Sequence, residues 1–189
     1  MSIHSEVNAQ GATYSTEQEV ASLATNVDKA IQACGIHAAA FGRTKGEALT
    51  HRGISLSDEA PDSIRALSSP STLGASRYHR WLDPHAEIWL IASKEKPACR
   101  IGISNSRWVN EIGPKLAELV QVGNYWRPAR EGENRISSTE QGPIQTDYVM
   151  DVPEPATVRP LLVVTTPRSG TVLSGGQQMI ITVLMLAKK

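Results

Sequence analysis

Two long apolar runs near the C-terminus limit what this chain can fold into more than any other feature. They are Leu161–Thr166 (LLVVTT) and Met179–Ala187 (MIITVLMLA), and both are nearly continuous in apolar and β-branched residues. Runs of this kind are typical of strands that are buried on both faces of a sheet. The segment between them, Arg168–Gly176, contains three glycines. We therefore predict a long hairpin with an irregular tip at the centre of a sheet.

Three further segments have strand patterns. Ile144–Val152 places Ile, Thr, Tyr, Met and Val at alternating positions, and Ala98–Ser104 (ACRIGIS) also alternates. Glu87–Ser93 (EIWLIAS) is apolar and rich in residues that favour strands. Because the connection Lys94–Pro97 is short and polar, we expect the strands on either side of it to form a hairpin.

Two helices are predicted from apolar stripes with a spacing of three and four residues. The first begins near Thr16, where Glu19 completes a T-x-x-E capping box, and ends at Cys34 because Gly35 suits a helix C-terminus. The second helix includes Trp108 and ends at Gly123. It contains a Gly-Pro pair that should kink or restart it, because proline removes one backbone hydrogen bond.

The order of these elements is helix, two strands, helix, three strands. Strands that follow one another without helices between them favour an antiparallel sheet, so we predict an α+β fold with about five strands and two packed helices. The 189 residues suit one domain, which we place at residues 14–189 after a flexible tail at 1–13. Around residues 43–76 the chain is polar and rich in Gly, Pro and Ser. This insertion is either a solvated connector or a functional cover.

Charge and hydropathy restrict the partners. The 19 basic residues are balanced by 19 acidic ones, and binding to nucleic acid through phosphates requires a clustered basic surface. No apolar run approaches the roughly 20 residues of a transmembrane helix. We therefore expect a protein or small-molecule partner, no nucleic acid and no transmembrane segment. The N-terminus lacks the pattern of a secretory signal, so the protein is cytoplasmic unless a signal has been removed, in which case it is periplasmic or secreted.

The two cysteines, Cys34 and Cys99, both point inward by the periodicity of their elements. If the first helix packs on the second strand, the side chains could meet and form a disulfide. The alternative is a pair of buried thiols, since free cysteine behaves as a small apolar residue. A catalytic thiol is not favoured, because neither cysteine lies at a helix N-terminus.

One stretch of the sequence resembles a pattern found in small bacterial proteins of unknown function, many of them exported. The stretch is IWLIASKEKPACRIGISNSRWVNEIGPKLAELV, preceded by a helix that ends in Cys, and the resemblance covers residues 16–122. It implies a Cys34–Cys99 disulfide and a location in the cell envelope, and it supplies no catalytic residues. This chain differs by its strand-rich C-terminal part and by the absence of a signal peptide pattern.

The segment Arg77–Trp89 (RYHRWLDPHAEIW) contains the candidate catalytic residues His79, Asp83 and His85. Histidine titrates near neutral pH and a carboxylate can orient it, so these residues could serve acid–base chemistry. The spacing between the two histidines crosses a proline, and no regular element would align them as metal ligands. We therefore predict no metal site and no cofactor, and the alternative interpretation of the segment is a surface loop.

A second polar and aromatic segment, NYWRPAR, contains Tyr125, Trp126, Arg127 and Arg130. Aromatic and arginine side chains are frequent at binding interfaces, so we predict a ligand or partner patch here. The alternative interpretation is the half-buried edge of a core.

These observations favour a non-catalytic binding or interaction domain that is exported to the cell envelope. The first alternative is a hydrolase that uses His79, Asp83 and His85, with or without a metal. The second is a cytoplasmic sensor or scaffold domain whose cysteines stay reduced.

Overall fold

The protein is an α+β fold in which one sheet carries two long helices on one face and a loop segment on the other. The structure, a computed structural model, describes residues 16–43, 47–69, 71, 73–123, 126–131, 133, 142–168 and 173–187. The predicted tail at 1–13 lies outside these residues. The helices are α1 (Thr16–Ala40), α2 (Glu47–Thr50), α3 (Asp62–Arg65) and α4 (Val109–Gly123), with a short 3-10 turn at Ser174–Gly176.

The sheet has seven strands, all of them antiparallel to their neighbours. In spatial order they are β1-β2-β3-β7-β6-β5-β4. Their bounds are β1 Ser76–Leu82, β2 Glu87–Ser93, β3 Ala98–Ser104, β4 Trp126–Pro128, β5 Ile144–Met150, β6 Val158–Thr166 and β7 Met179–Ala187. The prediction that the two apolar runs form the centre of the sheet is confirmed, since β7 is the fourth of the seven strands and β6 lies beside it.

The predicted numbers of about five strands and two helices are both too low, because α2 and α3 are only four residues long and two edge strands have weak sequence signals. β1 carries three basic residues among its seven, and its sequence has no alternating apolar pattern that predicts a strand. Charges on an edge strand oppose pairing with other chains, which explains why the strand reads as polar. β4 is only three residues long and ends at Pro128, and proline is tolerated in a sheet mainly at edges.

Helix α1 does not end at Cys34 as predicted, but continues through Gly35 to Ala40. Glycine in a helix costs about 1 kcal/mol relative to alanine, and burial of the last turn compensates for this cost. His37 and Ala38 are both buried, and the His37 Nε2 atom lies 2.9 Å from the carbonyl oxygen of Ser93. The ring of His37 therefore belongs to the packing of α1. Its burial also lowers the pKa of His37.

Helix α4 is continuous across Pro114, so the predicted restart does not occur. It packs beside α1 on the same face of the sheet, which we call the helix face. Residues from both helices and from alternate positions of the strands form the main core there, including Leu23, Ile101 and Ile181. None of the described helices is long and apolar enough to cross a membrane.

The opposite, outer face of the sheet is partly covered by residues 60–69, 71 and 73, which we call the covering segment. This segment contains part of the predicted polar insertion. Ile64, Leu67 and Leu73 are at most 2% exposed and pack on Tyr78 and Trp89 of β1 and β2. The segment is therefore a packed part of the fold over strands β1–β3, and its few apolar residues are the ones that hold it in place.

The disulfide Cys34–Cys99 joins α1 to β3. Both cysteines are fully buried, and their Cα atoms are 5.3 Å apart. The bond closes a loop of 65 residues, which includes α2, the covering segment, β1 and β2. It therefore fixes α1 covalently to β3, which belongs to the β1-β2-β3 part of the sheet.

We predict that replacing both cysteines by alanine lowers the free energy of unfolding by about 4 kcal/mol, because the open loop gains entropy in the unfolded state. Urea unfolding followed by far-UV circular dichroism measures this difference. The bond itself is tested by intact mass after alkylation of the denatured protein. Two alkyl groups should be added only after reduction, and addition without reductant would show that the bond is absent.

Candidate functional site

A groove on the outer face of the sheet is the strongest candidate for a functional site. It has a volume of about 550 Å³ and lies where β3, β7, β6 and β5 are adjacent, beside the covering segment. Most of its lining is apolar, and the polar side chains in the lining are basic or uncharged. The lining residues are Leu73, Lys96, Pro97, Ala98, Arg100, Gln145, Val163, Thr165, Thr182, Leu184 and Met185.

Arg100 lies on β3 and contributes the most distinctive group of this outer groove. Its Nε atom donates a hydrogen bond to Thr182 Oγ1 at 3.1 Å, and its Nη1 atom donates one to the carbonyl oxygen of Leu67. Both acceptors are uncharged, and Arg100 forms no ion pair with any residue in the described part of the chain. Burial lowers the pKa of Arg100, but a guanidinium remains charged at physiological pH.

The position of Arg100 follows from strand alternation and from the covering segment. Cys99 and Ile101 point to the helix face, so Arg100 must point to the outer face. Thr182 is its cross-strand partner on β7. The Leu67 carbonyl comes from the covering segment, which is itself attached to the sheet by a hydrogen bond from Ser93 Oγ to the carbonyl oxygen of Leu73. The guanidinium is therefore fixed from two sides.

Sequence reasoning missed Arg100 as a site residue. The sequence signal was a single arginine in the middle of an apolar strand, and an arginine at such a position is unremarkable if the outer face is solvated. It becomes a buried cation only because the covering segment packs over that face. Thr182 and Thr165 gave no signal of their own, since threonine is common in strands.

The structure does not bring the three candidate catalytic residues together. His79 lies on β1 with its Nδ1 atom 2.8 Å from the carbonyl oxygen of Ser55, and its ring packs edge-on against Trp81. Asp83 and His85 lie beyond the end of this strand, and Asp83 is roughly 13 Å along the chain from His79 at the usual rise per strand residue. The Asp83 carboxylate accepts hydrogen bonds from Asn26 Nδ2 and from the backbone N–H of His85, both at 2.7 Å.

His85 instead lies near a carboxylate that the sequence had assigned to a helix cap. Its Nδ1 atom is 3.9 Å from Glu19 Oε2. The same oxygen accepts hydrogen bonds from Arg107 at 2.6 Å and from Trp108 at 2.9 Å. The bond from Arg107 is the main cause that holds the pKa of Glu19 below its usual value. These contacts join the start of α1 to the start of α4, and a carboxylate so occupied is a poor general base.

The predicted ligand patch is divided between a buried side chain and an ionic cluster. Trp126 is 5% exposed and belongs to the main core, and Tyr125 lies outside the described residues. Arg127 donates two hydrogen bonds to the carboxylate of Glu133, at 2.7 and 2.9 Å, and two to Asp151, both at 2.9 Å. Arg130 is exposed, and its backbone N–H donates to Glu133 Oε2 at 2.8 Å.

Arg159 completes this cluster, which we call the Glu133 cluster (Arg127, Glu133, Asp151 and Arg159). Its Nη1 atom donates to Glu133 Oε1 at 2.9 Å. The hydrogen bonds from Arg127 are the main cause that holds the pKa of Glu133 far below its ordinary value of 4.5. Two arginines and two carboxylates balance one another here, so the guanidinium of Arg127 already has anionic partners within the protein.

Within the described ranges, no group of three or more His, Cys, Asp or Glu side chains could hold a metal ion. Comparisons of the chain with protein-family models, with curated proteins and with solved structures found no match. The function therefore has to be argued from the chemistry of this chain's own residues. Among them, Arg100 lines a groove and forms no ion pair with any residue that the structure describes.

We predict that Glu133→Gln lowers the free energy of unfolding by about 2 kcal/mol at neutral pH, because charge-assisted hydrogen bonds to two arginines are lost. The folded pKa of Glu133 lies below the unfolded one, so its contribution is complete above about pH 4.5 and is lost as the pH falls toward the folded value. The difference between variant and wild type should therefore shrink under strongly acidic conditions. Urea unfolding at about pH 7 and about pH 3 measures this.

Glu131→Gln is the matched control, because Glu131 is exposed and lies two residues away. It should leave the free energy of unfolding within about 0.5 kcal/mol of the wild type at both pH values. Equal effects of the two substitutions would show that the Glu133 cluster adds nothing to stability.

Proposed function

We propose that this protein is a non-catalytic binding protein that holds a small amphipathic anion in the outer groove. The observation that carries the proposal is Arg100, a partly buried guanidinium in the groove lining whose hydrogen-bond acceptors are both uncharged. Burying a charge without a counter-charge is unfavourable. A ligand anion beside Arg100 would supply that counter-charge, and its binding would recover part of the cost.

The remaining donors of Arg100 support an oxyanion as the polar end of the ligand. Nε and Nη1 have acceptors, whereas Nη2 has none among the residues described. Guanidinium groups bind carboxylates, sulfonates and phosphates strongly because charge assists the hydrogen bond. Thr182 and Thr165 place hydroxyl groups in the same lining, and hydroxyls can donate further hydrogen bonds to an oxyanion.

The rest of the lining supports an apolar body for the ligand. Leu73, Ala98, Val163, Leu184 and Met185 all line the outer groove. A volume of about 550 Å³ lies within the range of pockets that bind small organic molecules. Inorganic phosphate or sulfate would leave most of this apolar surface in contact with water, so we favour an organic anion with a ring or an alkyl chain.

The hydrolase alternative receives less support from the geometry. His79 lies beside Ser55 and Trp81, whereas Asp83 and His85 contact residues of α1. The disulfide supports the view that the protein works in an oxidising compartment, such as the bacterial cell envelope, over the cytoplasmic scaffold with reduced thiols. We therefore propose that the protein is an exported bacterial binding protein that works in the cell envelope.

We expect the protein to bind anilinonaphthalene sulfonate, an anionic dye whose fluorescence rises in an apolar site, more tightly than phenylnaphthylamine, the same ring system without the sulfonate. Arg100→Met should weaken sulfonate binding about tenfold or more, since a charge-assisted hydrogen bond contributes about 1.5–3 kcal/mol. It should leave phenylnaphthylamine binding unchanged. Arg100→Lys, which keeps the positive charge, should weaken sulfonate binding less than Arg100→Met does.

Two controls accompany this fluorescence titration. The double substitution His79→Ala with His85→Ala should leave both dissociation constants unchanged, because neither residue lines the groove. Circular dichroism and the melting temperature of each variant show that loss of binding is not loss of folding. Equal affinity of folded Arg100→Met and wild type for the sulfonate would refute the proposal, and so would equal affinity of the wild type for both dyes.

A further inference from the structure

A second cavity lies on the opposite side of the sheet from the outer groove. It has a volume of about 420 Å³, is open to solvent on one side, and is lined by helix α4 and by strands β5 and β6 on the helix face. We call it the inner pocket. Its volume lies within the range of pockets that bind small organic molecules.

The lining of the inner pocket contains no charged side chain among the residues that the structure describes. Val109, Ala117, Val120 and Val164 supply apolar surface. A charged ligand would lose its hydration here without gaining a counter-charge, which is strongly unfavourable. The absence of charged side chains therefore favours a neutral ligand. In this respect the inner pocket differs from the outer groove, which contains Arg100.

Tyr148 supplies a hydrogen-bond donor to the inner pocket. The residue is 7% exposed, and its hydroxyl makes no hydrogen bond to any other residue within the described ranges. Burial raises the pKa of Tyr148, so the hydroxyl keeps its proton at physiological pH. The hydroxyl is not among the buried atoms that lack a partner, so it reaches the solvent of the inner pocket, where an acceptor atom of a ligand can replace water.

Pro114 leaves the carbonyl of Asn110 in α4 without its usual helical donor. Inside an α-helix each carbonyl accepts a hydrogen bond from the N–H group four residues later. Position 114 is a proline within α4 and has no N–H group, so it cannot donate to the carbonyl of Asn110. Both Asn110 and Pro114 line the inner pocket. The pocket thus combines a phenol donor with a backbone acceptor that lacks its usual helical donor.

We propose that the inner pocket is a second binding site, for a small neutral molecule with an apolar body and a hydroxyl group. The hydroxyl accepts a hydrogen bond from Tyr148 and donates one to the carbonyl of Asn110. The observations that carry this proposal lie on the helix face and are independent of Arg100 and the outer groove.

Propylphenol is the probe that we would use, with propylanisole as its matched control, because methylation of the phenol removes the donor and keeps the apolar body. Isothermal titration calorimetry on the full chain measures both dissociation constants. We expect propylphenol to bind more tightly than propylanisole. Tyr148→Phe removes only the hydroxyl and should weaken propylphenol binding about threefold to tenfold, the range expected for one neutral hydrogen bond.

Pro114→Ala provides a second variant that should not impair folding. It restores the N–H group that bonds to Asn110 and removes a residue that is unfavourable inside a helix. It should therefore raise the melting temperature while weakening propylphenol binding. Arg100→Met, on the other face of the sheet, should leave propylphenol binding unchanged.

Three results would each overturn the proposal. They are the absence of propylphenol binding to the wild type, equal affinity for the two probes, or unchanged affinity in both folded variants. Weakening by Arg100→Met equal to that by Tyr148→Phe would place the probe in the outer groove and would also overturn it. Propylphenol is neutral, so the result of this titration does not depend on whether the outer groove binds an anion.

Discussion

Insertion of strand β7 between β3 and β6 is the interaction on which the rest of the structure depends. Without it, the sheet order leaves two separate antiparallel units, β1-β2-β3 and β6-β5-β4. β7 pairs with β3 along six residues and with β6 along eight. Every second side chain of β7 packs in the main core on the helix face, and the side chains between them lie at the surface of the outer face. The last strand of the chain therefore joins two halves that are built from distant parts of the sequence.

Both cavities depend on this join. The outer groove combines Arg100 of β3 with Thr182 of β7 and Val163 of β6. The inner pocket includes Met179 of β7 together with residues of α4, β5 and β6. The outer groove takes residues from both halves and exists only when the whole sheet has formed, whereas the inner pocket requires β7 to lie beside β6. Ligand binding at either site should therefore stabilise the complete fold relative to the unfolded chain.

The strength of each sequence signal explains which elements could be predicted. The apolar runs of β6 and β7 read as central strands because one face of each strand is buried in the main core and the other face is largely apolar and only partly exposed. β1 and β4 are at edges, where polar side chains and Pro128 are tolerated, so hydropathy alone does not separate them from loops. The end of α1 was misplaced at Gly35 because the burial of His37 and Ala38, which compensates for the glycine, depends on contacts with β2 that are distant in sequence.

The candidate site was harder to predict than the fold, and two arginines show why. Arg127 stood out in the sequence among aromatic residues, yet its donors are bound by Glu133 and Asp151, so it has a structural role. Arg100 stands among apolar residues, and nothing in the local sequence singles it out. What distinguishes the two is whether a carboxylate lies within reach, and that depends on three-dimensional neighbours that no local pattern records.

Cys99, one end of the disulfide, is followed directly by Arg100, so the disulfide restricts the position of Arg100 in the proposed binding site. Because neighbouring strand residues point to opposite faces, Cys99 is bonded to α1 on the helix face while Arg100 faces the outer groove. A covalent bond at Cys99 limits how β3 can shift relative to α1, and it therefore limits the positions open to the guanidinium. Hydrogen bonds to Thr182 and to the covering segment limit them further. In the proposed anion site, a guanidinium that is already held in place would lose little conformational freedom on binding, which would raise affinity without any additional contact.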